Sequence, residues 1–367
     1  MTTETHGCAT ASVESDRVRL DVTLIGGMST ASFRLGDREV APYSLAPWKP
    51  DDVSAELPPL LRVLRGEFFC LPFGPQSDGP PHGDGANKPW SLVACANGVI
   101  EMSLHAADSG ARITKSYQLR EGEAAIYYEY RISGLEGAWS YGTHPIIDAS
   151  HLDEGRARVS VSPFRMGSVY PGRFSDPAAG ERQALEPSAR FDDLTAVPLL
   201  AGGSTDLTRW PARRGFEDLV MMVNEPATEA QPFAWSAVVM DGYVWISLKN
   251  PADFPATLFW MSNGGRDGEP WQGRHLGRLG VEEVCSYFCD SVDRSREDLL
   301  AAEGIPTTRR FHADETTRLG IIHLVVAVPG GFDVVKSISP GGDSAIVITD
   351  SRGISVESPV DWKHLFR

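Results

Sequence analysis

Apolar and polar residues alternate with a period of two along most of this chain, and that alternation predicts half-buried strands. Residues 17–24 read as a first strand, and 31–40 as two more around Gly36-Asp37. Asn97-Gly98 separates the apolar runs 91–96 and 99–105, the strongest short-range hairpin signal. Residues 111–119 and 123–133 make a second hairpin, and 233–240 and 243–248 a third around Asp241-Gly242. Further strands are expected at 156–162, 217–223, 257–262 and 279–288, and again at 319–328, 332–338, 345–350 and 353–357. One helix is expected, capped by Ser295, with Asp298 three residues on, Leu299 and Leu300 inside, and Gly304 and Pro306 closing it. Many strands, one short helix and no βαβ alternation indicate an all-β sandwich. Residues 1–16 are polar and read as a disordered tail. Residues 17–367 read as a single sandwich domain, in which 308–367 add strands or form a small appendage.

The stretches that break the alternation are where binding groups are expected, because loops held by a rigid sheet collect them. Residues 41–48, with two prolines and two aromatics, read as an ordered loop. The Gly/Pro-rich loop 71–89 carries His82 and runs into Trp90. Residues 169–215 lose all periodicity, and a loop that long is expected to cover one end of a site. A Gly/Arg-rich loop, 263–277, precedes the strand at 279–288.

Composition narrows the function classes. Of 367 residues, 42% are apolar and 23% charged, which suits a folded chain with a substantial core. The net charge of −15 disfavours nucleic acid, whose phosphates need a basic surface. Cys8, Cys70, Cys95, Cys285 and Cys289 are odd in number and widely spaced, so no disulfide framework is implied, and Cys285 and Cys289 read as small core residues. The N-terminus has no apolar signal-like run, and no stretch reaches the ~18 apolar residues of a membrane span. These features predict a soluble, cytoplasmic protein with no membrane and no nucleic-acid partner.

No serine-hydrolase elbow, phosphate-binding glycine loop, dinucleotide fingerprint or zincin motif is present. The clusters at His151 and His312 match no metal-ligand spacing and read as solvated charge, so no metal is expected. Four places remain. Arg65-Gly66-Glu67 ends an apolar run, and His82-Gly83 lies in the Gly/Pro loop. His144 sits in W-S-Y-G-T-H-P-I-I-D, beside a strand in partly apolar surroundings, where an imidazole can exchange a proton near neutral pH. Leu279-Gly280-Val281-Glu282 opens a late strand. The plain alternative for His144 is a core histidine satisfied by the backbone; for Arg65 it is a salt bridge, perhaps to Glu67.

The order Arg, His-Gly, Thr-His-Pro, Gly-Val-Glu in an all-β chain of this length resembles the aldose 1-epimerase, or galactose mutarotase-like, family. The strings L-R-G-E-F-F-C-L-P-F-G and F-W-M-S-N-G-G-R add to the likeness, which covers roughly residues 17 to 310. The chain departs from that pattern in R-G-E-F around Arg65, in P-I-I-D after His144 and in the second glutamate after Glu282. The resemblance implies a galactose mutarotase-like supersandwich and a cofactor-independent isomerase that interconverts sugar anomers by ring opening. In that chemistry Glu282 is the base at the anomeric hydroxyl and His144 the acid at the ring oxygen. Arg65 and His82 become positioning groups, and Trp90, Tyr141 and Trp271 become candidates to stack on a sugar face, each with plain core packing as its alternative. Asp218 is a candidate for binding sugar hydroxyls. Strand alternation lets only one of Glu282 and Glu283 face the site, leaving Glu283 toward solvent. Arg266, Arg274 and Arg278 are either holders of an anionic group or surface arginines. The partner expected is a small sugar. The alternatives are a sugar-binding protein that has lost the chemistry, a sugar-phosphate mutarotase, or a glycoside-processing enzyme with two carboxylates about 5 to 9.5 Å apart.

Overall fold

Asn97 and Gly98 both take positive φ, 52° and 71°, the geometry of a tight two-residue hairpin. In the computed structural model, which describes residues 2–367, this turn joins Ser91–Ala96 to Val99–His105. They end a nine-stranded antiparallel sheet. Its order is Arg209–Trp210, Ala157–Val161, Ala234–Met240, Tyr243–Lys249, Thr316–Ala327, Ala125–Ser133, Arg112–Gln118, Val99–His105, Ser91–Ala96. A second large sheet runs Arg190–Phe191, Phe164–Val169, Glu217–Asn224, Ala256–Ser262, Arg278–Cys285, Tyr141–Thr143, Phe69–Cys70, with Ile146–Asp148 also paired to Arg278–Cys285. The apolar faces of the two sheets share one core, which also takes in Val18, Leu20 and Val22 of a five-stranded N-terminal sheet. This is an all-β sandwich.

Residues 2–14, expected as a tail, form the strands Thr2–Thr5 and Cys8–Glu14 of that N-terminal sheet. Their inward side chains are small, Cys8, Ala11 and Val13, and small residues give a weak hydrophobic signal. The C-terminal residues are integrated as well. Thr316–Ala327 runs through the middle of the nine-stranded sheet, between Tyr243–Lys249 and Ala125–Ser133. The three-stranded sheet Val335–Pro340, Ala345–Asp350, Ser355–Pro359 then packs Val335, Ile338, Ile346 and Ile348 onto that sheet's outer face.

Among the described residues there are three α-helices of five residues, Pro59–Val63, Gly83–Asn87 and Val292–Arg296, rather than one. The cap of the last lies four residues before the expected one. Ser291 caps it, accepting from the Arg294 N–H. Ser295 is fully buried inside it and accepts from the Tyr287 N–H instead. Asp298 takes φ 54°, which ends the helical course before Leu299. Among the described residues no helix is long and apolar enough to cross a membrane.

The core between the sheets is not wholly apolar. Lys115 donates to Glu67 at 2.9 Å, and Glu67 also accepts from Ser29 at 3.1 Å and Tyr130 at 2.8 Å. Lys249 pairs with Glu283, which accepts further from Thr257 at 2.9 Å and Ser236 at 2.8 Å. Glu283 therefore points into the sandwich and not to solvent, because both faces of its strand are covered. Burial lowers the pKa of both lysines against the pull of their carboxylates. Removing one partner of such a pair leaves an uncompensated charge in the core, at a cost of about 3–5 kcal/mol. Lys249→Met is expected to lose about that much in equilibrium urea unfolding, and Lys249→Met with Glu283→Met to regain most of it. A loss below about 1 kcal/mol for the single change would contradict the pairing, that being the ceiling of an exposed pair.

Candidate active site

His144 and Glu282 meet because of strand register. Thr143 pairs with Glu283 and Ile146 with Gly280 on either side of a break at His144-Pro145. The register is the same on both sides of the break, which makes Glu282 the cross-strand neighbour of His144. Proline has no N–H to give the ladder, and its carbonyl still accepts from the Val281 N–H at 2.8 Å. The result is a contact of 3.2 Å between His144 Nε2 and Glu282 Oε1. The imidazole stacks on Phe68, ring centroids 4.6 Å apart, and its backbone N–H donates to the Phe68 carbonyl. Gly280 makes room for the carboxylate: a Cβ there would lie 2.7 Å from Glu282 Oε1.

The pair forms part of the wall of an open pocket of about 160 Å³ on the outer face of the second sheet. His82 joins them there, its ring edge-on to His144 at 5.3 Å. His82 is held at φ 62°, and Gly83 follows at φ 72° with the Leu71 carbonyl 2.2 Å from where a Cβ would stand. The Gly74 N–H donates to His82 Nδ1, so the neutral ring carries its proton on Nε2 and is a donor. Burial lowers its pKa to about 4, which keeps it neutral at pH 7.

Burial also pushes His144 well below the ordinary histidine value, helped by His82, and pushes Glu282 well above the carboxylate range, helped by the charge of Glu283. Both shifts disfavour an ion pair. The neutral arrangement, a protonated Glu282 donating to Nε2, leaves the buried His144 Nδ1 without a hydrogen-bond partner. A contact of this length needs a proton on one of its two atoms, and in the neutral arrangement the pair shares that one proton.

Of the other expected site residues, Trp271 lines the same pocket. Four do not. Arg65 is buried away from it, donating to the carbonyls of Val63, Thr5 and His6 and to Cys8 Sγ, so it anchors the N-terminal hairpin. It makes no bridge to Glu67, which belongs to Lys115. Trp90 lies in the main core with its indole N–H on the Gly85 carbonyl. Tyr141 faces the core, its hydroxyl on the Asp253 carbonyl. Asp218 accepts from the N–H groups of Ala184 and Leu185 and faces Arg213.

The acidic residue on the pocket side is the one before it. Leu219 lines the pocket, and Glu217 shares its face of the strand by alternation. Glu217 accepts from the Trp260 indole at 3.2 Å, Ser262 at 3.0 Å and the Gly265 N–H at 3.1 Å, with Arg266 at 3.8 Å. Arg266 lines the pocket with its guanidinium 5.0 Å from the Trp271 ring and 3.4 Å from Glu181. Arg274 and Arg278 are engaged elsewhere, on the Pro270 carbonyl and on Asp148. Phe174 of the long aperiodic loop and Cys289, expected in the core, also line the pocket. Phe68, Trp260 and Glu217 were missed because nothing but strand parity marks them. Among the described residues no group of three or more His, Cys, Asp or Glu side chains is arranged to hold a metal ion.

Known structures share this architecture. A putative aldose 1-epimerase from Escherichia coli K12, so described, superposes with a TM-score of 0.59 at 13% identity, covering 88% of this chain and 100% of that one. A galactose mutarotase related enzyme from Lactobacillus acidophilus gives 0.55 at 10% identity, over 88% and 98% of the two chains. A galactose mutarotase-like protein from Lactobacillus casei gives 0.55 at 11% identity, over 86% and 100%. The chain has the galactose mutarotase-like fold. At these identities the likeness is one of fold and carries no activity with it. No protein-family model matches the chain, and no curated protein matches it.

Within this mutarotase-like sandwich Glu217 is a buried carboxyl beside the pocket whose titration is shifted toward neutrality. Burial raises it from 4.5 to about 6, against the lowering pull of Arg266 and the three hydrogen bonds. A carboxyl raised on folding contributes stability that is full below the unfolded value and lost as pH rises through the folded one. Glu217→Gln does not titrate, so wild-type stability relative to it is expected to fall by about 2 kcal/mol between pH 4.5 and 7.5. Urea unfolding of both proteins at the two pH values measures this, and an equal difference at both would contradict the burial of Glu217.

Proposed function

We propose that this protein is a cofactor-independent, aldose 1-epimerase-like isomerase that interconverts the anomers of a cyclic sugar. The observation that carries the reading is the contact of His144 Nε2 with Glu282 Oε1 in the wall of the pocket. Anomer exchange removes a proton from the anomeric hydroxyl and delivers one to the ring oxygen. The C1–O5 bond then breaks, C1–C2 rotates, and the chain recloses. Both oxygens are bonded to the same carbon, so an acid and a base that touch one another can serve both from one side of the ring. A gap one ring wide between them is not needed.

Glu282 and His144 take the base and acid roles with the proton they share. In the ionised arrangement Glu282 accepts from the anomeric hydroxyl and His144 delivers to the ring oxygen, as the family resemblance implies. The low-dielectric surroundings favour the neutral arrangement, so the ionised form is reached when sugar hydroxyls replace the contact between the two groups. His82 Nε2–H is a fixed donor beside the reacting atoms, and Trp271 offers an aromatic face to the ring. The fold shared with a galactose mutarotase related enzyme supports the same reading. An uncharged sugar is favoured over a sugar phosphate, because the pocket's Arg266 is already opposed by Glu181 and Glu217.

Freshly dissolved pure anomers of a sugar panel, followed by polarimetry or NMR, test this. Wild type is expected to exceed the spontaneous rate, and His144→Ala and Glu282→Gln each to lower its kcat by about 10²- to 10⁴-fold. The double variant should lose little more than either single one, since the two residues share one proton. A wild type no faster than water, or a His144→Ala protein at full rate, would rule the proposal out.

A further inference from the structure

One wall of the pocket has nothing to offer a hydroxyl. It is built by Leu60, Leu61 and Leu64 at the helix Pro59–Val63, with Pro75, Pro81 and Phe174 beside them. None of these side chains carries a hydrogen-bonding atom. Backbone groups of each leucine are engaged within the protein: Leu60 N–H donates to Asn87 Oδ1, the Leu61 N–H donates to the Pro58 carbonyl, the Leu61 carbonyl accepts from the Trp48 indole, and the Leu64 carbonyl accepts from the Ala46 N–H. These bonds hold the wall in place. The groups that can bind hydroxyls beyond the reacting pair are His82, Arg266 and the Trp271 indole, with the Cys289 thiol as a weak addition.

A hexopyranose carries four hydroxyls besides the anomeric one. Whichever of them faces the leucine wall loses its water and gains no partner, which is unfavourable. An apolar group at that position meets a preformed apolar surface instead. We infer that the substrate is a deoxy sugar, a cyclic sugar with a methyl group in place of one hydroxymethyl, and that this methyl packs on the Leu60–Leu61–Leu64 wall. This rests on the reading that the ligand is a cyclic sugar, and goes beyond it by assigning the substituent. Discrimination by an apolar wall between a methyl group and a hydroxymethyl group is worth roughly 10- to 100-fold.

The test uses matched pairs that differ only at C6: D-galactose with D-fucose, D-glucose with 6-deoxy-D-glucose, and L-mannose with L-rhamnose. NMR titration gives Kd for each sugar at anomeric equilibrium, and exchange spectroscopy gives the anomerisation rate separately. The 6-deoxy member is expected to bind roughly 10- to 100-fold tighter in at least one pair. Leu61→Asn, a change at a partly exposed wall position, is expected to reduce that preference at least threefold by supplying a hydroxyl partner. Parent hexoses that bind as tightly as their deoxy partners in every pair overturn this inference while leaving the isomerase reading intact if exchange is still accelerated. A deoxy preference without any acceleration supports this inference and overturns the isomerase reading. No binding of any sugar overturns both, and a preference unchanged in Leu61→Asn overturns the assignment of the wall.

Discussion

Glu282 and Glu283 are consecutive on the strand Arg278–Cys285, so their side chains leave it in opposite directions, and both directions are dry. Two neighbouring carboxylates buried on the two faces of one strand would be prohibitive if both faces treated them alike. They do not. The sandwich side supplies Glu283 with Lys249 and two hydroxyl donors. The pocket side supplies Glu282 with one imidazole and no cation. The charge on Glu283 then helps to keep the proton on Glu282. Burial does most to raise the Glu282 carboxyl, and the carboxylate of the core pair one residue away adds to it.

The rest of the local architecture keeps those two faces distinct. Gly66 takes φ 48°, and a Cβ on it would fall 1.8 Å from the Ser29 carbonyl oxygen. It lets the chain turn tightly from Arg65, which holds the N-terminal hairpin, to Glu67, which holds Lys115. The next residue, Phe68, lies flat against His144, while Phe69 stacks on Tyr130 in the main core. In five consecutive residues, Arg65 to Phe69, the chain passes from anchoring the N-terminal sheet to backing the pocket and returns to the sandwich. The Gly66 N–H and carbonyl are both used, on the Ser44 carbonyl and the Ile146 N–H, which fixes the height of the His144 segment against its neighbours.

The sandwich was legible because most strands have one polar face, and the three two-residue turns fell where Asn-Gly, Asp-Gly and Gly-Asp stand. His144, His82 and Glu282 were singled out by their flanking motifs and Trp271 only as an aromatic able to stack on a sugar, and the fold brings those four to one pocket. The errors share a cause. In Glu217–Asn224 and Arg278–Cys285 every residue is buried, so alternation in the sequence no longer tells inside from outside. Asp218 was taken for Glu217, and Glu283 was sent to solvent, because parity on such strands is set by what covers each face. Arg65 was assigned to a sugar because its partners are backbone carbonyls from residues 5, 6 and 63, which no side-chain pattern records. The N-terminal strands went unseen because alanine, threonine and cysteine carry too little hydrophobic contrast.

Proton counting ties the raised Glu282 and the depressed His144 to the chemistry proposed. Anomer exchange begins and ends with the same number of protons on the sugar, so its catalyst must lend one proton and recover one in each direction. A pair holding two protons would lack a base, and a pair holding none would lack an acid. Burial alone pushes each group toward its neutral form, which for a carboxyl and an imidazole in contact means one proton in total. Moving that proton from Oε1 to Nε2, heavy atoms 3.2 Å apart, converts the neutral pair into the ionised one without exchange with solvent. The apolar wall and the stacked Phe68 ring serve the same end as the ligand-binding groups, since water entering beside the pair would stabilise its charged form at rest and open a route for the proton to leave.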